Sequence, residues 1–158
     1  RDFCLSRGLG DVYKRQQYIA EDAVVEKSII GEGTEIYGEV HNSVIGAGVV
    51  IKKGAVIRDS IIMKQAVIGE HDVIDKAIIA ENVVVGDNVV MGVGEDIPNK
   101  LKPNVYSFGL VTIGENTVIP SNVTIGKNAA IVGQTNIEDY PGGVLESGET
   151  LNKEGETE

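Results

Sequence analysis

The sequence predicts an all-β chain wound into a parallel β-helix, a solenoid of six-residue repeats with one inserted loop and a C-terminal tail. Three observations carry this expectation. Aliphatic residues recur at every sixth position: Ile45, Ile51 and Ile57, then Ile62, Ile68 and Ile74, then Ile79, Val85 and Met91, and finally Ile113, Ile119, Ile125 and Ile131. A longer repeat encloses them. Ser28-Ile29-Ile30, Ser43-Val44-Ile45, Ser60-Ile61-Ile62 and Ala77-Ile78-Ile79 follow one another, the first step slightly shorter than the next two, which are equal. Charges one such step apart also have opposite sign, with Lys53 over Glu70, Arg58 over Asp75, Asp59 over Lys76 and Lys64 over Glu81.

A period of six matches neither a helix nor a simple alternating strand. It suits a short strand followed by a corner. The position two before each aliphatic is small or β-branched, as at Val49, Ala55, Ala66, Val83, Val89, Thr117, Val123 and Ala129, and shares its inward face. Gly often follows the aliphatic, as at Gly46, Gly69, Gly86, Gly92, Gly114 and Gly126, and is expected to turn the corner, at positive φ where needed. Three such sides make one coil, and coils stack at the strand spacing of roughly 4.8 Å.

The elements follow in chain order. Residues 1–16 stand apart. Their stretch "SRGLGDVYKRQ" is basic and carries Gly-x-Gly in an otherwise acidic chain. It back-translates in frame to the adaptor DNA of a transposase-based sequencing library. Residues 1–16 are therefore expected to be non-native and disordered, their Gly-x-Gly is no phosphate loop, and a read cut at this point would lack whatever preceded it. The β-helix is expected over residues 17–133. Its hexads pause after Met91 and resume at Ile113, so residues 92–112 read as a loop bulging out, with a short strand expected near Leu110–Thr112. Residues 134–158 read as an acidic tail, tethered by Tyr140 and Leu145 and disordered from about Asn152.

Composition narrows the function classes. A net charge of −10 argues against nucleic acid and anionic membrane as partners. No apolar run reaches the roughly 18 residues of a membrane span, and no secretory leader is visible, so a cytoplasmic location is expected. The one cysteine, Cys4, lies in the adaptor-like segment, which excludes an intramolecular disulfide or a Cys-rich metal site.

Chemistry-bearing residues are few. His41 and His71 are the only side chains suited to general-base work near neutrality. Their separation is neither one coil nor two, so they do not stack. They are also too few for a three-His zinc site. Either could in principle be the single catalytic His of a hexad acyltransferase, but a solvated surface His is the expected reading. Lys52, Lys53, Arg58 and Lys64 suggest an anion site, yet the stacking sets three of them against carboxylates. Asp72 occupies an inward position. A local bulge turning it outward is expected, and a buried carboxylate is the alternative. No catalytic, cofactor-binding or metal-binding residue is assigned.

The stretches "EVHNSVIGAGV", "VIRDSIIM", "IDKAIIAENV" and "GVGEDIPN" give the chain a further character. Over roughly residues 17–146 it resembles the C-terminal domain of bacterial glucose-1-phosphate adenylyltransferases, also called ADP-glucose pyrophosphorylases. The resemblance implies a left-handed parallel β-helix (a hexapeptide-repeat solenoid) with roles in allosteric regulation and tetramer assembly. It implies a parent nucleotidyltransferase that makes ADP-glucose and pyrophosphate from ATP and glucose 1-phosphate for glycogen synthesis, using Mg²⁺. The family's Gly-rich nucleotide loop and its metal-binding and sugar-binding carboxylates have no counterpart here, so ATP and Mg²⁺ belong to a missing N-terminal domain and the fragment is expected to be inactive and prone to associate. That domain, homo- or hetero-tetramer subunits and a sugar-phosphate effector are the implied partners. The family's regulatory basic residues match no position here. The alternatives are a regulatory subunit of the same family, from which "GVGEDIPN" leans away, an autonomous trimeric acyltransferase binding acyl-CoA between subunits, and a purely structural β-helix.

Overall fold

The computed structural model describes residues 17–153. The expectations for residues 1–16 and for the last residues of the tail lie outside them. The described chain is an all-β solenoid with three parallel faces. The first face stacks Tyr18–Ile19, Glu35–Ile36, Val50–Ile51, Val67–Ile68, Val84–Val85 and Val118–Ile119. The second stacks Val24–Glu26, Glu39–His41, Val56–Arg58, Val73–Asp75, Val90–Val93, Thr124–Gly126 and Val144–Leu145. The third stacks Ile29–Ile30, Val44–Ile45, Ile61–Ile62, Ala77–Ile79, Val111–Ile113, Ala130–Val132 and Thr150–Asn152.

The strand registers reproduce the repeat read from the sequence. Ile29 pairs with Val44, Val44 with Ile61 and Ile61 with Ile78, so each step of the serine-marked repeat is one turn of the coil. The aliphatics of the hexads become columns, such as Ile57, Ile74, Met91 and Ile125 on the second face, each essentially sealed from solvent. Each buried aliphatic contributes roughly 1.5–3 kcal/mol of transfer free energy, which makes these columns the main source of stability.

The corners match the expectation in part. Gly92 takes φ 91, whereas Gly46 and Gly86 do not carry positive φ. Their missing Cβ makes room for the next coil, because a Cβ on Gly46 would stand 2.8 Å from the Lys64 amide and one on Gly86 2.6 Å from the Ser121 amide. The left-handed residue comes two positions later, at Gly48 after Gly46 and at Asn88 after Gly86. Asn, whose short amide tolerates this region, also turns the chain at Asn82, Asn116 and Asn122.

A further column runs along the corner before the third face. The Ser43 amide donates to Ser28 Oγ at 3.0 Å, the Ser60 amide to Ser43 Oγ at 3.1 Å and the Ala77 amide to Ser60 Oγ at 3.1 Å. The serines that marked the repeat thus tie each coil to the next.

Two boundaries shift. The strands Val90–Val93 and Val111–Ile113 take both ends of the segment 92–112 into the sheets, so the excursion covers 94–110. It doubles the turn from Ile78 to Thr112 relative to the turn from Ile61 to Ile78. The acidic tail does not simply hang from the body. Val144–Leu145 adds a strand in register with Thr124–Ile125, and Thr150–Asn152 adds one in register with Ala130–Val132. On the first face, where only Gln134 bridges to Val118, two short 3₁₀ turns at Ile137–Asp139 and Pro141–Gly143 replace a strand. Tyr140 between them is buried, and its hydroxyl pairs with Thr135 Oγ1 at 2.8 Å.

Candidate functional site

His41 ends a second-face strand in register with Glu26 below it. Its Nδ1 lies 3.0 Å from Glu26 Oε1 and its Nε2 3.1 Å from Glu39 Oε1. With an acceptor at each nitrogen, only the imidazolium satisfies both, and these two hydrogen bonds, Glu39 first, raise its pKa. In the protonated state both ring nitrogens are committed to carboxylates. His71 is elsewhere, at an exposed left-handed corner, with its ring over Gly54 of the preceding coil. The two histidines are not brought together.

The basic residues keep their places but not their partners. Arg58 and Asp75 are in register on the second face. Lys52, Lys53, Arg58 and Lys64 are exposed, and among the described residues none of the four stacked charge pairs closes to within 4.0 Å. Long side chains at an open surface gain too little from pairing to offset the entropy of holding one geometry. The charges recorded the coil length without forming bonds.

Asp72 departs from the favoured expectation. No bulge turns it out, and its exposure is 0%. It takes the inward position between Ala55 and Val89 of the neighbouring coils, because Val73 and Ile74 keep unbroken register with Val56 and Ile57 below and with Val90 and Met91 above. Its Oδ1 accepts the Val89 amide at 2.8 Å, while Oδ2 has no hydrogen-bond partner. Burial pushes the carboxyl up to about 7, with the Val89 and Gly69 amides and Lys52 pulling the other way and Asp87 adding to the rise.

The inserted loop is pinned by two asparagines that composition and periodicity did not single out. Buried Asn128 donates to Asp96 Oδ1 at 2.6 Å and to the Ile97 carbonyl at 2.8 Å, and accepts from the Gly109 amide at 2.8 Å. Buried Asn99 donates to the Asn128 carbonyl and to Thr150 Oγ1, and accepts from the Leu101 and Lys102 amides, all at 2.9–3.0 Å. Lys100 pairs with Glu149. The only available signal was that Asp96 and Asn99 fall within the non-hexad motif "GVGEDIPN". Between these pins the loop presents Leu101, Val105 and Phe108 to solvent, Phe108 at 84% exposure and φ 62.

None of these groups forms a nucleophile–base pair, and among the described residues no three His, Cys, Asp or Glu side chains come together as a metal site. No helix among the described residues is long and apolar enough to cross a membrane.

Comparison with known proteins agrees with the coil and narrows it. A glucose-1-phosphate adenylyltransferase of Lachnospira eligens is 69% identical over 140 residues, 89% of this chain and 33% of that protein. The enzyme of the same name from Acetivibrio thermocellus is 48% identical over 145 residues, 92% of this chain and 34% of its own length. The chain thus spans about a third of the curated relatives it matches, their C-terminal part. The acetyltransferase domain of PglB from Neisseria gonorrhoeae FA1090 aligns over 88% of this chain and 55% of its own, at 22% identity and a TM-score of 0.36. The family described as "GlmU-like, C-terminal hexapeptide" matches residues 14–113. The chain belongs to this hexapeptide family.

Proposed function

We propose that this chain is the C-terminal assembly and regulatory domain of a cytoplasmic glucose-1-phosphate adenylyltransferase, and that it catalyses nothing alone. The observation that carries the reading is the 69% identity confined to one third of a relative of that name. The candidate residues support it from the other side: both ring nitrogens of His41 face carboxylates, His71 lies apart from it, and the cations do not converge. Transfer of adenylyl from ATP to glucose 1-phosphate, with Mg²⁺, is assigned to the part of such relatives that lies outside the third this chain matches. The tetramer and a sugar-phosphate effector belong to the same proposal. Outward aliphatics Ile29, Val44 and Ile61, aligned on the third face, offer an apolar surface for such assembly.

The test is a chimera in which this chain replaces the last third of the L. eligens enzyme. ADP-glucose synthesis that the enzyme without its last third lacks is the expected result, with no pyrophosphate released by the chain alone. A chimera that folds but stays inactive, or turnover by the chain alone, overturns the reading. Calorimetric binding of acetyl-CoA at micromolar strength would instead favour an acyltransferase.

A further inference from the structure

We propose that Asp72 makes the junction between two coils respond to pH: protonated, it is a neutral member of the inward stack, and ionised, it loosens the seam from which the inserted loop departs. The geometry sets this up. Asp72 sits where every neighbouring coil places an aliphatic or Ala, its exposure is 0%, and its Oδ2 has no partner. An ionised carboxylate there is solvated only by the Val89 amide of the next coil at 2.8 Å and, more weakly, by the Gly69 amide. Burying a charge with so few partners is costly, and taking up a proton removes that cost.

The surrounding charges do not rescue the ionised form. Lys52 on the coil below favours it and Asp87 on the coil above opposes it. Lys53 below, Glu70 and His71 at the same corner and Asp75 on the following strand occupy exposed or half-exposed positions, and none ion-pairs with Asp72.

The position also links the proton to the loop. Val89 immediately precedes the strand Val90–Val93. In that strand the register slips between Met91 and Val93, Gly92 takes φ 91, and the loop begins at Gly94. The seam that Asp72 faces is therefore next to the least regular part of the ladder.

The sign follows from linkage. Between the carboxyl's ordinary value of 3.8 and its raised value of about 7, the folded chain holds a proton that the unfolded chain has lost. Stability therefore falls as pH rises through this window, and the full cost is present above it. Urea unfolding of the full chain and of D72N, from pH 5 to pH 8, isolates the effect from the other carboxylates. The unfolding constant of the wild type is expected to rise roughly a hundredfold relative to D72N across that range. Native-state amide exchange, corrected for its intrinsic pH dependence, is expected to speed up relative to Ile125 at Val73, whose amide donates to the Val89 carbonyl across the same seam. Parallel profiles for the two proteins, or a Val73-to-Ile125 exchange ratio independent of pH, would overturn the proposal. If D72N does not fold, the exchange ratio in the wild type decides alone.

Discussion

The coils before Met91 and those after Val111 share one cross-section but are held by different forces. In the earlier part nearly every turn has the same length, and identical positions stack. Backbone ladders, aliphatic columns and the Ser28–Ser43–Ser60 chain then suffice. In the later part the length changes from turn to turn, as the pairings Ile78 with Thr112, Thr112 with Ala130 and Thr124 with Val144 record. Stacked positions are no longer equivalent, and surplus chain must go somewhere. There, buried polar side chains take over: Asn99 and Asn128 hold the inserted loop, and Thr135 with Tyr140 holds the end. A regular repeat is stabilised by periodic nonspecific burial, while an interrupted one needs individual hydrogen bonds, since excursions bring backbone groups that no ladder satisfies.

The largest way to break this contrast is in the regular part. Ile74→Ala empties a sealed position in the middle of a column and is expected to cost about 2–5 kcal/mol, measured by urea unfolding. Asn128→Ala is the counterpart in the irregular part. It leaves the Gly109 amide and the Ile97 carbonyl without their partner, at about 2–3 kcal/mol. Amide exchange should then accelerate across 94–110 while the coils before Met91 stay protected. Uniform acceleration would mean that the two parts are one cooperative unit.

Ser60→Ala is a smaller probe. It strands the buried Ala77 amide and is expected to cost about 1–2 kcal/mol, with Ser43→Ala having a similar effect one coil below. The smallest effect belongs to His41. Its raised pKa means that its ion pairs add stability below pH 6.5, and that this is lost as pH rises through the folded-state value. His41→Ala should flatten that modest acid-side gain, a few tenths of a kcal/mol at a half-exposed site, seen in melting curves taken at pH 5.5 and pH 8.

What the residues revealed in advance follows the same division. The hexads at Ile51, Ile57 and Ile68 declared the coil because inward positions must be apolar at every turn, and a one-dimensional repeat leaves a one-dimensional record. The stacked charges gave the right register even though they do not bond. Corner chemistry was half legible: Gly46 was seen, but its role, admitting the backbone of the next coil, depends on a distance between coils. Asn99 and Asn128 were not legible, since they lie far apart in the chain and meet only because the loop folds back.

Asp72 marks where the two kinds of information meet. The sequence by itself determined that a carboxylate stands at an inward hexad position, within a three-sided all-β coil of fixed circumference. Whether the backbone would bulge to release it was a contest between desolvation and the strand ladders above and below. Only the tertiary structure decided it, because the continuous register from Ile57 through Ile74 to Met91 leaves the chain no slack to turn the side chain out.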